Sequence, residues 1–489
     1  MPRRALLAPL LAVAVLTPAS QALAHREVPV GPPLPGDPAI ASTDNIEHLA
    51  RFPEHTGTAG GTLSQDGKRF YLTDPRGVYV YDTTKPDAPT LLGSLPLLQM
   101  GTGVALAQED PDTDDRILLV DAAATATLPA GLQVVDVSNP KSLKVLSSLP
   151  VTDHTWTCIS GVDAQRRKSS CAWAYGRTGN IVDLRNPAKA ALLPNTWRAA
   201  VNYGNKSNSP YTHDLTEIRP GLVMSAGSTA ILMDTTNPAA PLRLTAITQP
   251  GRFTELGYHS AEWARGGTSP WLVLGTEIAP SSPNSEAGSD CKGGNSVIET
   301  WDARAVVKAL KTYRPGTGEP GMRGAKFVKR DAFDAAGRGV FLQGSAPGHV
   351  SYCAHWMELH PAFTDSGRMA VSYYNRGTRF VDVRRDGTMK EFGWIVGADS
   401  DSGSPQWITK NIVYLMDYRR GLEVVRLLDK PATRVTRRAA VHEFAPNGLR
   451  LASSSRPVDG TSAPLALVVG SVLVLGTSLI AVRRRTRVA

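Results

Sequence analysis

The feature that most limits what this chain can fold into is a repeated strand–Asp–turn–strand unit. Its clearest copy runs Gly131-Leu132-Gln133-Val134-Val135-Asp136-Val137-Ser138-Asn139-Pro140 and continues as Lys144-Val145-Leu146-Ser147-Ser148-Leu149-Pro150. β-Branched residues crowd χ1 and suit a pleated, half-buried surface. Asn-Pro supplies the turn, because proline fixes φ and has no N–H to give a ladder. The unit therefore reads as a β-hairpin.

Further copies are Gly77–Asp82 with Lys85-Pro86, Gly179-Asn180-Ile181-Val182-Asp183 with Asn186-Pro187, and Ala230-Ile231-Leu232-Met233-Asp234 with Asn237-Pro238. Looser copies are Val297–Asp302, Arg379-Phe380-Val381-Asp382-Val383 and Gly421–Arg426, the last with Arg426 where Asp is expected. A repeat spaced roughly 45 to 80 residues that reads all-β is the signature of propeller blades. The expected fold class is all-β, a seven-bladed propeller over 45–430, with blades at about 56–97, 99–151, 154–198, 212–249, 258–333, 353–396 and 404–428. The segment from Asn45 to Pro53 matches the fourth strand of later repeats, while the last repeat lacks one. It is expected to close the ring from the N-terminal side, since closure removes exposed sheet edges. The 44 Gly and 36 Pro agree with many short strands and many turns.

The strand–Asp–turn pattern resembles the LVIVD repeat of bacterial secreted and surface β-propellers, over about residues 46–428. The resemblance implies the fold and a bacterial cell-surface setting, and it assigns no chemistry.

Two segments set the expected address. Residues 1–24 carry Arg3 and Arg4, an apolar run and Ala22-Leu23-Ala24, which together read as a secretory signal peptide. A flexible segment at 25–44 follows. After a linker at 431–462, residues 463–482 form an uncharged stretch long enough to span a bilayer as one transmembrane helix. The basic tail 483–489, with Arg483, Arg484 and Arg485, is expected on the cytoplasmic side, leaving the propeller extracellular and membrane-anchored. The formal net charge of +9 falls to about +3 without the six arginines of the two ends, so no nucleic-acid partner is expected.

Cysteine usage fits an oxidising compartment. Cys158 and Cys171 lie close in one hairpin and are expected to pair. Cys291 and Cys353 would then tie an insertion at 279–294 to the start of the sixth blade. A short helix is expected at 304–313. Gly316-Thr317-Gly318-Glu319-Pro320-Gly321 matches a dinucleotide pattern but lacks a surrounding βα unit. Asp110, Asp112, Asp114 and Asp115 lack the Gly and Glu of a calcium loop and read as a solvated acidic turn.

One constellation carries chemistry. A histidine recurs at the start of four consecutive blades: His154, His213, His259 and His355. Innermost strands line a propeller channel, so these four point toward one axis. Imidazole is the commonest metal ligand, and the set would suit a divalent transition metal such as iron, copper or zinc. Glu217, Glu262 and Glu358 follow three of the histidines and are expected behind the rings, fixing their tautomers. The bland alternative is a repeated structural histidine bonded to neighbouring backbone. The function expected from the sequence is therefore a membrane-anchored binding or scaffold module facing an extracellular protein or ligand; the alternative is a metal-dependent enzyme, of oxidoreductase type among others, working in the channel.

Overall fold

The computed structural model describes residues 40–58, 60–97, 109–125, 127–153, 155–160, 170–203, 212–248, 257–276, 297–335 and 354–438. The signal-like segment, the apolar C-terminal stretch with its basic tail, His154, Cys291, Cys353 and the 279–294 insertion lie outside them. Among the described residues no helix is long and apolar enough to cross a membrane.

The described residues form a seven-bladed β-propeller. Blades one to five are four-stranded antiparallel sheets over 60–96, 112–149, 156–192, 212–248 and 258–333. The sixth starts at Met357–Leu359 and runs to Met389–Gly397. The seventh takes three strands from Ser402–Trp407, Ile412–Asp417 and Gly421–Leu427, and its outer strand from Ile46–Phe52. Ile46 pairs with Leu427 and Phe52 with Leu422, so one sheet joins the two ends of the propeller sequence. The chain approaches closely there. Gly421 has φ +83°, and a Cβ on it would sit 2.2 Å from the Phe52 carbonyl oxygen.

The repeated Asp has a physical role. In five blades its carboxylate accepts the backbone N–H two residues on, fixing the turn that leads to the fourth strand. The pairs are Asp82–Thr84 (2.8 Å), Asp136–Ser138 (3.0 Å), Asp183–Arg185 (3.0 Å), Asp234–Thr236 (2.8 Å) and Asp302–Arg304 (2.9 Å). The seventh blade has no such turn, since its fourth strand comes from the other end of the chain. Arg426 replaces the Asp there and reaches Glu47 on that strand and Asp87, each at 3.2 Å.

The apolar cores lie between blades. Phe70, Leu72 and Tyr81 of the first blade pack with Tyr414, Met416 and Val424 of the seventh. Ile117 and Val134 of the second pack with Trp156 and Ala174 of the third. Cys158 and Cys171 are disulfide-bonded in that core. The expected helix forms over Arg304–Leu310 and buries Val306.

Three expectations need correction. Ile40–Thr43, placed in a flexible segment, pairs with the outer strand of the sixth blade. Val435–Arg438, placed in a linker, pairs with Ile40–Thr43, so the sixth sheet has six strands. An outer edge strand with unsatisfied backbone groups accepts further strands from either terminus. Finally, the acidic run is not a solvated turn. Asp114 is buried and caps Arg116 N, Ile117 N and Cys171 N, while Asp112 holds Cys158 N at 2.8 Å.

Candidate functional site

The innermost strands place three of the four expected histidines together. His213 and His259 stack with ring centroids 3.6 Å apart, and His259 and His355 lie 4.3 Å apart. All three are buried. They surround a residue that the sequence reading missed, Glu109. Its Oε2 lies 3.6 Å from His213 Nε2, 3.6 Å from His355 Nε2 and 3.9 Å from His259 Nε2. Ligand atoms of Glu109, His259 and His355 all fall within 4.8 Å of one another, so this buried set can hold a metal ion. Two ligands bound at about 2.1 Å in tetrahedral geometry stand about 3.4 Å apart, close to the separations seen.

The ligand orientations are fixed from outside. Tyr418 donates its hydroxyl to Glu109 Oε1 at 2.8 Å, and Trp356 donates Nε1–H to Oε2 at 3.3 Å. His355 Nδ1 lies 2.5 Å from the Gly403 carbonyl oxygen. A carbonyl only accepts, so Nδ1 carries a proton there. In the neutral ring Nε2 then presents its lone pair to the Glu109 carboxylate. Two acceptors facing each other in a buried site need a proton or a cation between them.

Two of the three glutamates, Glu217 and Glu358, bond neighbouring blades and do not stand behind the rings. Glu217 accepts Ser160 N at 2.8 Å and Ser160 Oγ at 2.5 Å, tying the fourth blade to the third. Glu358 accepts Trp407 N at 2.5 Å and Gln406 Nε2, tying the sixth to the seventh. Strand pitch is the reason. At about 3.3 Å per residue, an acid three or four positions after a histidine sits about 10–13 Å further along the channel. The acids therefore form a second layer. They line a cavity of about 310 Å³ together with Glu109, Asp110, Asp112 and Asp214. Burial pushes the carboxyl of Asp112 up to about 6, that of Glu217 to about 7 and that of Glu262 to about 8. Burial likewise holds Asp110, Asp214 and Glu358 well above the ordinary range.

Glu109 was legible only by position. The second blade has no histidine at its start and offers Glu109-Asp110 instead, just ahead of its short inner strand Asp112–Thr113.

No protein-family model and no curated protein matches the chain. Among solved structures, the β-propeller domain of Cps50 (Swd1) from Myceliophteria thermophila is 9% identical, with a TM-score of 0.47, covering 79% of this chain and 99% of that one. The WD40 β-propeller domain of Doa1 is 9% identical, with a TM-score of 0.45, covering 79% of this chain and 98% of that one. Likeness at this level says nothing of partners or chemistry.

Proposed function

We propose that this protein is a metal-dependent β-propeller that holds a divalent transition-metal ion in its channel. The observation that carries this reading is the convergence of His259, His355 and Glu109, with His213 stacked alongside. Two imidazoles and one carboxylate that leave a side open are a donor set used by catalytic zinc and by non-haem iron. The adjoining cavity leaves room for a substrate oxygen, toward which the ion would act as a Lewis acid. Tyr418 and Trp356 would hold the carboxylate in place, and the Gly403 carbonyl would set the His355 tautomer.

The proposed setting is the outer face of a bacterial membrane, with one C-terminal helix as the anchor. Its support is the uncharged stretch 463–482 followed by Arg483, Arg484 and Arg485, and the likeness of the repeats to the LVIVD type.

The test is metal analysis of the purified propeller. Wild type should carry about one iron or zinc ion per chain, and Glu109→Gln and His259→Ala variants of unchanged circular dichroism should carry little. Equal metal content in all three would overturn the metal reading and leave the propeller as a binding or scaffold module.

A further inference from the structure

The outer wall between the fourth and fifth blades concentrates positive charge. Residues 303–330 carry eight Lys and Arg and one acid, Glu319. That net +7 exceeds the +3 or so of the chain without its two ends, so the rest of the body is acidic on balance. Three of the eight cations are neutralised locally: Arg304 by Asp302 at 2.6 Å, Lys329 by Glu299, and Arg330 by Asp386 at 3.5 Å. Lys308, Lys311, Arg314, Arg323 and Lys326 are exposed, and none is paired with an acid among the described residues. Lys308 and Lys311, three residues apart at the end of the helix Arg304–Leu310, share a face.

Beside these cations lies a cavity of about 480 Å³. One wall is Arg243 to Ile247, five consecutive residues of the outer strand of the fourth blade, Leu242–Thr248. Side chains alternate between the two faces of a strand, so a cavity lined by five in a row meets the strand along its edge. Among the described residues that edge pairs with no further strand. The opposite wall, Met322 to Phe327, brings Arg323 and Lys326 to the cavity, and Trp301 adds apolar surface beside Phe327. Thr245 Oγ1 donates to the Ala325 carbonyl oxygen at 3.0 Å and ties the two walls together. Glu319 is held by Arg243 at 2.8 Å, which leaves Arg323 and Lys326 uncompensated. An outer edge of this propeller already accepts an added strand, since Ile40–Thr43 pairs with Met389–Gly397 of the sixth blade.

We propose that this groove binds an extended acidic peptide, which adds as a fifth strand to the outer edge of the fourth blade. The backbone groups along Arg243 to Ile247, about 13 Å of strand, would pair with about four or five residues of the peptide. Alternate side chains would rest on Trp301 and Phe327, and the carboxylates would meet Arg323 and Lys326. Lys308, Lys311 and Arg314 would speed the encounter without holding the complex. The open strand edge favours a peptide over other polyanions, because a phosphate polymer has no row of N–H groups to offer it. No residue of the groove belongs to the channel metal set, so the two proposals stand or fall separately.

The experiment is fluorescence anisotropy of a labelled peptide of three Val-Glu repeats with purified full-length protein. Wild type should bind it saturably. The variant Arg323→Glu, Lys326→Glu, changed only at exposed side chains, should bind at least about tenfold more weakly with unchanged circular dichroism. Lys308→Glu, Lys311→Glu should slow association and weaken binding less than about threefold. A peptide with Pro in place of Val lacks half of the N–H donors and should not bind. Should the first double variant not fold, Arg323→Ala alone should weaken binding at least about threefold. No saturable binding by wild type, equal weakening by the two double variants, equal binding of the Pro peptide, or tighter binding of inorganic polyphosphate than of the Val-Glu peptide would overturn the proposal.

Discussion

The strand Ile46–Phe52 offers a quantitative test of how the propeller is held together. Ile46 and Phe52 are 1% and 7% exposed. Ile46 packs in the core between the sixth and seventh blades, with Trp407 and Val425, and Phe52 in the core between the seventh and first, with Phe70 and Tyr414. They are six residues apart along one strand, about 20 Å, so their contributions should add. Truncating a buried Ile to Ala costs about 2–5 kcal/mol and a buried Phe about 3–5 kcal/mol, so Ile46→Ala, Phe52→Ala should lose about 5–10 kcal/mol. That is comparable to the whole stability of an ordinary domain. A body of about 400 residues unfolds with an entropy of about 0.8 kcal/mol/K, so the melting temperature should drop by at least about 6 °C. The strand also carries His48, whose Nε2 lies 2.8 Å from Glu423, itself paired with the buried Arg420. The assay is thermal melting by circular dichroism at a fixed scan rate, with Leu91→Ala, on an exposed outer strand, as control. If the double variant melts no lower than the control, the N-terminal strand does not close the ring and the packing argument fails.

Further outcomes follow from single contacts. Tyr418→Phe removes the donor to Glu109 Oε1, and metal affinity should fall about 10–100-fold with the fold intact; unchanged affinity in a competition titration would refute the supporting role. Glu217 carries a folded-state value raised to about 7 by burial. Its unfolded form gives up its proton first as pH rises, so its stabilisation is complete below about pH 4 and lost between about 4 and 7, at most about 3 kcal/mol. Melting of wild type should therefore fall more steeply than that of Glu217→Gln between pH 5 and 8, and parallel curves would contradict this. Reducing Cys158–Cys171, which closes a 13-residue separation, should cost about 3 kcal/mol in denaturant unfolding. Protease added to intact cells should release the propeller and leave a small C-terminal fragment; a protected propeller would refute the proposed orientation.

What the sequence determined by itself is periodic and local. The number of blades, their limits and the Asp-capped turns are written in each repeat, because a β-hairpin is specified by its own alternation and turn residues. The displaced outer strand was also visible, since the last repeat lacks what Ile46–Phe52 supplies. The histidines were visible as repeated letters at the start of blades. Only the tertiary structure decided what those letters do. Glu109 carries no repeat signature, yet the ring brings it beneath His213, His259 and His355 from two or more blades away. The glutamates that follow the histidines read as partners in sequence, but strand pitch carries them into a separate layer where two of them bond neighbouring blades. Proximity in a channel is set by the angle between blades and the rise along each strand, and neither quantity is encoded in the order of residues within one blade.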